Sequence, residues 1–114
     1  MREFYCTWFQ ARACLKYVNE IKGLESHFLT FPSGARLELM QRTVEIERNS
    51  GPGKNAVGYG HIAFSAGSEL AVNALTNQLR EAGHTVVDEP RRTGDGYYES
   101  VVLDPDGNRV EITV

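Results

Sequence analysis

One segment of this 114-residue chain occurs twice. Residues 31–39 read FPSGARLEL and residues 104–112 read DPDGNRVEI, so Pro, Gly, Arg and Glu recur 73 positions apart. Each copy joins a Pro-x-Gly turn to alternating apolar and polar residues, which predicts a tight turn leading into a strand with one buried face. The chain is therefore predicted to fold as two related halves that end in the same hairpin.

The second half contains the whole repeating unit. Residues 59–65 alternate as a strand, Ser68 is a suitable helix N-cap, and Gly83 marks the end of the helix. Three further strands are predicted at residues 84–90, 96–103 and 108–114. The unit is thus βαβββ, and the predicted inner stripe of its helix consists of Ala71, Leu75, Leu79 and Ala82.

The elements of the first half are predicted by subtracting the same 73-residue spacing from those of the second half. The subtraction predicts the end of a helix at residues 2–9 and strands at residues 11–18, 26–31 and 35–40. The counterpart of the strand at residues 59–65 would fall before residue 1, so this module is predicted to be truncated to αβββ. The sequence NSGPGKN at residues 49–55 predicts a linker. We expect one α+β domain over residues 1–114, with module one at 1–42, the linker at 43–57 and module two at 58–114.

Composition narrows the class of protein. With 41% apolar and 24% charged residues the chain is typical of a globular protein, and its length suits one domain. The net charge is −3, and the 12 basic residues form no stripe, which argues against nucleic acid as a partner. We find neither a run of about 18 apolar residues nor the pattern of a signal peptide, so we expect a cytoplasmic protein without a membrane partner.

Alternation along the strands predicts which side chains share a face. The apolar residues of the two repeated strands should face the helices, which leaves Glu38 and Glu111 on the opposite, concave face. His61 falls on the same side of its own strand, because Ile62 and Phe64 alternate with it. Two carboxylates and an imidazole suit a divalent metal such as Zn, Ni, Mn, Fe or Co. A solvent-facing Glu and a hydrogen-bonded His are equally ordinary on a strand, so alternation alone leaves both interpretations open.

Several segments resemble the vicinal oxygen chelate superfamily, which includes glyoxalase I, bleomycin-resistance proteins and extradiol dioxygenases. In the second half they are GYGHIAFS at 58–65, LREAGH at 79–84, GDGYY at 94–98 and VVLDPDGNRVEI at 101–112. In the first half they are REFY at 2–5 and GARLELM at 34–40. The resemblance implies two βαβββ modules that form a curved mixed sheet around a cavity, with the first strand of module one missing.

The resemblance also implies roles for individual residues. It makes Glu38, His61 and Glu111 metal ligands, and it makes Glu38 and Glu111 the carboxylates that transfer a proton. The fourth ligand of such sites lies on the strand that this sequence lacks. The implied activity is that of a glyoxalase-like lyase or isomerase, in which a divalent metal binds neighbouring oxygens of a small molecule and stabilises developing negative charge.

Other expectations concern substrate, partners and alternatives. Candidate substrate contacts precede or lie on the strand that borders the predicted cavity, and they are Tyr97, Tyr98 and Arg92. A sheet that lacks an edge strand invites pairing with another chain, and a homodimer is also the habit of the family, so we expect a homodimer. Two other functions stay open: a metal-free protein that binds a small molecule or antibiotic without catalysis, and an extradiol dioxygenase.

Overall fold

The computed structural model describes residues 1–42 and 58–114. The chain divides into two compact units, Met1–Arg48 and Asn49–Val114. In the described residues each unit contains one helix and one four-stranded sheet, which confirms the α+β class. The linker predicted at residues 43–57 lies outside the described residues. No helix in the described ranges combines the length and the apolar character needed to cross a membrane.

The first unit begins with α1 (Arg2–Trp8), and its strands are β1 (Arg12–Ala13), β2 (Tyr17–Asn19), β3 (Leu24–Thr30) and β4 (Arg36–Arg42). The short strands β1 and β2 both pair antiparallel with β3, so the strand predicted at residues 11–18 is present but interrupted. On its other side β3 pairs antiparallel with β4. Within residues 1–42 no further strand pairs with β4, so this unit has the predicted αβββ order.

Aromatic side chains of α1 form the core of the first unit. Phe4 and Tyr5 are buried on the helix and Phe9 directly follows it, while Leu29 is buried on β3. The rings of Phe4 and Tyr5 meet edge to face, with centroids 5.1 Å apart. A seven-residue helix is too short to be stable alone, so this packing against β3 holds it in place.

The second unit contains β5 (Ile62–Ser65), α2 (Glu69–Glu81), β6 (Val86–Arg92), β7 (Tyr98–Leu103) and β8 (Arg109–Thr113). Its sheet has the order β5-β8-β7-β6, in which β5 is parallel to β8 and the other neighbours are antiparallel. This is the complete βαβββ unit that the repeat predicts. The crossover through α2 makes β6 run in the same direction as β5. Strands β7 and β8 then follow β6 as antiparallel neighbours, so β8 runs parallel to β5.

Helix α2 begins and ends at the predicted signals. The Ser68 side chain accepts a hydrogen bond from the Ala71 N–H at 3.2 Å, which satisfies one of the free donors of the first turn. At the other end Gly83 has a φ of +87°, a left-handed conformation that glycine adopts without a steric penalty. Both signals were readable from the sequence because they depend on single residues next to the helix.

The buried side of α2 differs from the predicted stripe. The buried residues are Val72, Thr76 and Leu79, whereas Ala82 is exposed. Thr76 is buried because its hydroxyl donates to the Val72 carbonyl at 2.7 Å and shares a 2.6 Å hydrogen bond with Ser100 on β7. The prediction counted only apolar side chains, so it missed a polar residue whose hydrogen bonds are satisfied inside the core.

The repeated hairpin is buried to different extents in the two units. On β8, Val110 and Ile112 are fully buried, while the equivalent Leu37 and Leu39 on β4 are half-buried. In the second unit β5 lies beside β8, with Ile62 opposite Val110 in the ladder. Among the described residues of the first unit no strand lies at that position. The additional strand therefore coincides with the more complete burial of the repeated residues.

Candidate functional site

His61 and Glu111 lie together on one face of the second sheet. His61 directly precedes β5, and Glu111 stands opposite Ala63 in the parallel ladder of β5 and β8. The His61 Nε2 atom is 3.3 Å from the Glu111 Oε2 atom. The Glu111 side chain is only 16% exposed, whereas His61 is half-exposed. The structure thus brings together two of the residues that strand alternation places on a common face.

A second carboxylate, that of Glu99 on β7, lies beside Glu111. The Glu99 side chain is 14% exposed, and its Oε1 atom is 3.7 Å from the Nη1 atom of Arg91. Burial raises the pKa of Glu99 above its ordinary value, the charge of Glu111 and a hydrogen bond with it act in the same direction, and Arg91 opposes them. Glu99 was not among the site residues predicted from the sequence. Its alternation with Tyr98 and Ser100 was the signal that could have found it.

Tyr98 and Arg92 lie on the opposite face of this sheet. They are paired in the ladder of β6 and β7, and residues directly opposite each other share a face. The Tyr98 hydroxyl donates to Asn73 on α2 at 2.9 Å, and Arg92 forms an ion pair with Glu69 on the same helix. Both residues therefore lie on the face opposite Glu111, and their contact with a substrate stays a prediction. Their contacts hold α2 against the sheet.

Tyr97, the remaining candidate substrate contact, lies in the turn before β7. Its backbone carbonyl accepts a hydrogen bond from the Thr93 N–H at 2.9 Å, and its side chain is exposed. The turn places it at the end of the sheet rather than within the ladder. A substrate contact by Tyr97 stays a prediction.

The register between β6 and β7 places Arg91 on the face of Glu111. Arg91 pairs with Glu99 in the ladder, and residues directly opposite each other share a face. The register shifts twice along β6, between Val86 and Asp88 and between Asp88 and Arg91. Each shift leaves one extra residue on β6, as in a β-bulge, so the two shifts offset each other in the alternation of faces. Arg91 therefore shares a face with Glu99 and Glu111.

Glu38 lies on β4 of the first unit. It stands opposite Phe28 in the ladder with β3, while its neighbours Leu37 and Leu39 point to the other face. The Glu38 side chain is exposed, and the guanidinium of Arg36 stacks over the Phe28 ring at 4.4 Å. The predicted separation of the apolar and acidic faces of this strand is thus present in the structure.

Comparison with known proteins identifies the family. The model of the Glyoxalase/Bleomycin resistance protein/Dioxygenase superfamily matches residues 1–112. The chain belongs to this superfamily. The assignment confirms the resemblance drawn from the sequence segments, including those of the first module.

Solved structures of superfamily members share the fold at low sequence identity. A glyoxylase/bleomycin resistance protein/dioxygenase domain from Frankia sp. EAN1pec has a TM-score of 0.78 at 14% identity, over 99% of this chain and 84% of its own. A variant of glyoxalase I from Zea mays has a TM-score of 0.77 at 21% identity, over 98% of this chain and 38% of its own. These likenesses show the fold alone.

One curated relative is closer in sequence. The uncharacterized protein YqjT of Bacillus subtilis (strain 168) is 39% identical over 59 residues, which is 49% of this chain. The match spans 46% of that protein's length, so this chain covers about half of its curated relative.

The described residues offer part of a donor set for a divalent metal ion. Among residues 1–42 and 58–114, no three His, Cys, Asp or Glu side chains form a group that could hold a metal ion. His61 and Glu111 nevertheless provide an imidazole nitrogen and a carboxylate oxygen 3.3 Å apart. Two ligand atoms bound to one tetrahedral zinc ion are separated by about 3.3 Å. The pair therefore fits two adjacent ligand positions of a divalent metal.

Proposed function

We propose that this protein is a glyoxalase-like, metal-dependent lyase or isomerase that acts on a small molecule with vicinal oxygens. The observation that carries the proposal is the His61–Glu111 pair, an imidazole and a carboxylate 3.3 Å apart. Membership of the superfamily supports it, and the resemblance adds Glu38 as a third ligand from the first unit. When bound, a divalent ion such as Zn, Ni, Mn, Fe or Co supplies stabilisation of negative charge on neighbouring substrate oxygens.

Glu111 is the proposed proton-transferring base. Its carboxylate is largely excluded from water, which strengthens its interactions with a nearby substrate. A lyase or isomerase of this type removes a proton from a carbon next to a carbonyl and returns it to a neighbouring atom, and a positioned carboxylate contributes to both steps. His61 holds one oxygen of Glu111 in a defined position. Glu38 is the second carboxylate proposed for the transfer.

Metal binding is the first test. The purified protein is treated with a chelator and reloaded with Zn²⁺, Ni²⁺, Mn²⁺ or Co²⁺, and its metal content and Tm are measured in each state. A ligand that binds only the folded protein raises its stability. We expect about one bound ion per chain and a higher Tm, with both effects lost in His61→Ala and Glu111→Gln and weakened in Glu38→Gln. His84→Ala is the matched control, because it removes an imidazole from the segment that follows α2.

Turnover is the second test. The metal-loaded protein is incubated in D₂O with dicarbonyl–thiol adducts and with epoxides, and NMR follows product formation and the entry of deuterium at the carbon next to the carbonyl. We expect exchange with the wild type and a loss of at least about 100-fold in Glu111→Gln, the usual contribution of a general base. Full exchange in Glu111→Gln would contradict the assignment of this base.

A metal-free small-molecule binding protein is the second candidate. It is favoured by the finding that the described residues contain no group of three side chains able to hold a metal ion. This function predicts that a small-molecule ligand binds with the same affinity in the presence and absence of chelator. A loss of that affinity on chelation would favour the enzyme.

A cytoplasmic homodimer is also part of the proposal. In the described residues of the first unit β4 has a partner on one side only, and unpaired strand edges favour association with another chain. Sedimentation velocity tests the assembly, and a monodisperse monomer at micromolar concentration would contradict it. The location rests on the sequence alone and is tested by fractionation of the cells that produce the protein.

A further inference from the structure

We propose that Arg91 binds an oxyanion group of the substrate, which makes the substrate a small molecule that carries a carboxylate or phosphate beside its vicinal oxygens. This inference rests on the proposed function, because Glu111 marks the place of the reacting oxygens. Arg91 was not a candidate in the sequence. The structure adds it through its pairing with Glu99 in the ladder of β6 and β7.

Arg91 lies on the correct face and at a suitable distance. It stands opposite Glu99 in the ladder, and Glu99 in turn contacts Glu111. Strands β6 and β8 are separated by β7, so their backbones are roughly 10 Å apart. A molecule with a chain of a few carbon atoms can span that distance, with one end at Glu111 and the other at Arg91.

The guanidinium of Arg91 has donors available for a ligand. Its side chain is 47% exposed, and within the described residues it makes an ion pair with Glu99 at 3.7 Å and no hydrogen bond. That separation is longer than a hydrogen bond, so Glu99 restrains Arg91 without occupying its N–H groups. A guanidinium offers five such groups in a planar arrangement that matches the oxygens of a carboxylate or phosphate.

The second arginine on this face is already engaged. Arg109 is 23% exposed, and its Nη2 atom donates to the Asp88 carboxylate at 2.7 Å. This charge-assisted hydrogen bond occupies an N–H donor of Arg109 that an anionic ligand would otherwise bind. Arg91 is therefore the more exposed and less engaged cation on this face, and it offsets the repulsion that Glu99 and Glu111 exert on an approaching anion.

The test uses probes with one chelating head and different tails. Acetohydroxamate presents two neighbouring oxygens and a neutral methyl tail, while the monohydroxamates of malonate, succinate and glutarate add a carboxylate at increasing distance. Their Kd values are measured by calorimetry on the Co²⁺-loaded protein. The wild type, Arg91→Gln and Arg91→Lys are compared with Arg80→Gln, which removes an arginine of similar exposure that pairs with Glu89 on the α2 side.

We expect at least one carboxylate probe to bind wild type about 10-fold more tightly than acetohydroxamate, as a charge-assisted hydrogen bond provides. Arg91→Gln should remove this preference and leave the affinity for acetohydroxamate unchanged. Arg91→Lys should retain part of it, and Arg80→Gln all of it. Equal affinities for neutral and charged probes in the wild type, or an equal loss of both in Arg91→Gln, would overturn the role of Arg91.

A metal-free arm separates this inference from the proposed function. If acetohydroxamate does not bind the wild type, the metal-dependent function fails, and the chelator-treated protein is titrated with glutarate while its ¹⁵N amide shifts are recorded. Shifts that vanish in Arg91→Gln and persist in Arg80→Gln would uphold an oxyanion site without a metal. No glutarate shifts in the wild type would overturn the site as well.

Discussion

Arg91 and Arg92 are consecutive in the chain and lie on opposite faces of the second sheet. Arg91 faces Glu99 at 3.7 Å, whereas the Arg92 guanidinium lies 5.9 Å from the centre of the Tyr98 ring. Side chains alternate along any strand, so two neighbours always diverge. The register between β6 and β7 sets which of them shares the face of Glu111, and this determines the chemistry available to a ligand on that face.

The carboxyl of Glu99 should make stability depend on pH. Its pKa is raised in the folded protein, so the folded state binds this proton more tightly than the unfolded state does. The stabilisation is present at low pH and is lost as the pH rises through the raised pKa. Glu99→Gln should therefore raise Tm at pH 8 and change it little at pH 4.

Glu20→Gln is the control for this measurement, because Glu20 lies in an exposed turn. We expect it to show no comparable difference between pH 4 and pH 8 in the same thermal melts. An equal gain in Tm at both pH values for Glu99→Gln would show that the cost of ionising Glu99 is not the cause.

The two copies of the repeated strand should differ in their contribution to stability. Ile112 is fully buried on β8, so Ile112→Ala should lower the free energy of unfolding by about 2–5 kcal/mol. Leu39 is the half-buried counterpart on β4, and Leu39→Ala should cost about half as much because less apolar surface is lost. Urea denaturation measures both. Equal losses would contradict the difference in burial.

The hydrogen bond between Thr76 and Ser100 joins α2 to β7 inside the core. Thr76→Val should lower the free energy of unfolding by about 1–3 kcal/mol, because it leaves the Ser100 hydroxyl buried without this partner. The double variant Thr76→Val/Ser100→Ala should recover part of that loss. A double-mutant cycle in urea measures the coupling, and strictly additive effects would argue against the bond.

The N-cap of α2 should be replaceable by another side chain that accepts a hydrogen bond. Ser68→Ala removes the bond to the Ala71 N–H and should lower the free energy of unfolding by about 1 kcal/mol. Ser68→Asp should retain the wild-type stability, since a carboxylate caps the same donor. Thermal melts of the three proteins make the comparison, and an equal loss in both variants would indicate a role other than capping.

Much of the fold was predictable because the repeat carries local signals. The Pro-x-Gly turns, the N-cap at Ser68 and the helix end at Gly83 each depend on a few consecutive residues, and the strands and helices form close to the predicted positions. The pairing of His61 with Glu111 followed from uninterrupted alternation on β5 and β8. The burial of Thr76 was missed, since its partner Ser100 lies 24 positions away in the chain.

The sequence by itself determined the two related units, the αβββ order of residues 1–42, and the face of each uninterrupted strand, because turn geometry and side-chain alternation are properties of short stretches of backbone. Only the tertiary structure decided that Glu99 joins Glu111 and that Arg91, rather than Arg92, lies beside them. The physical reason is the register between β6 and β7, which shifts between Val86 and Asp88 and again between Asp88 and Arg91. A bulge forms where one strand pairs with another, so its position is set by contacts between segments that the linear pattern does not connect.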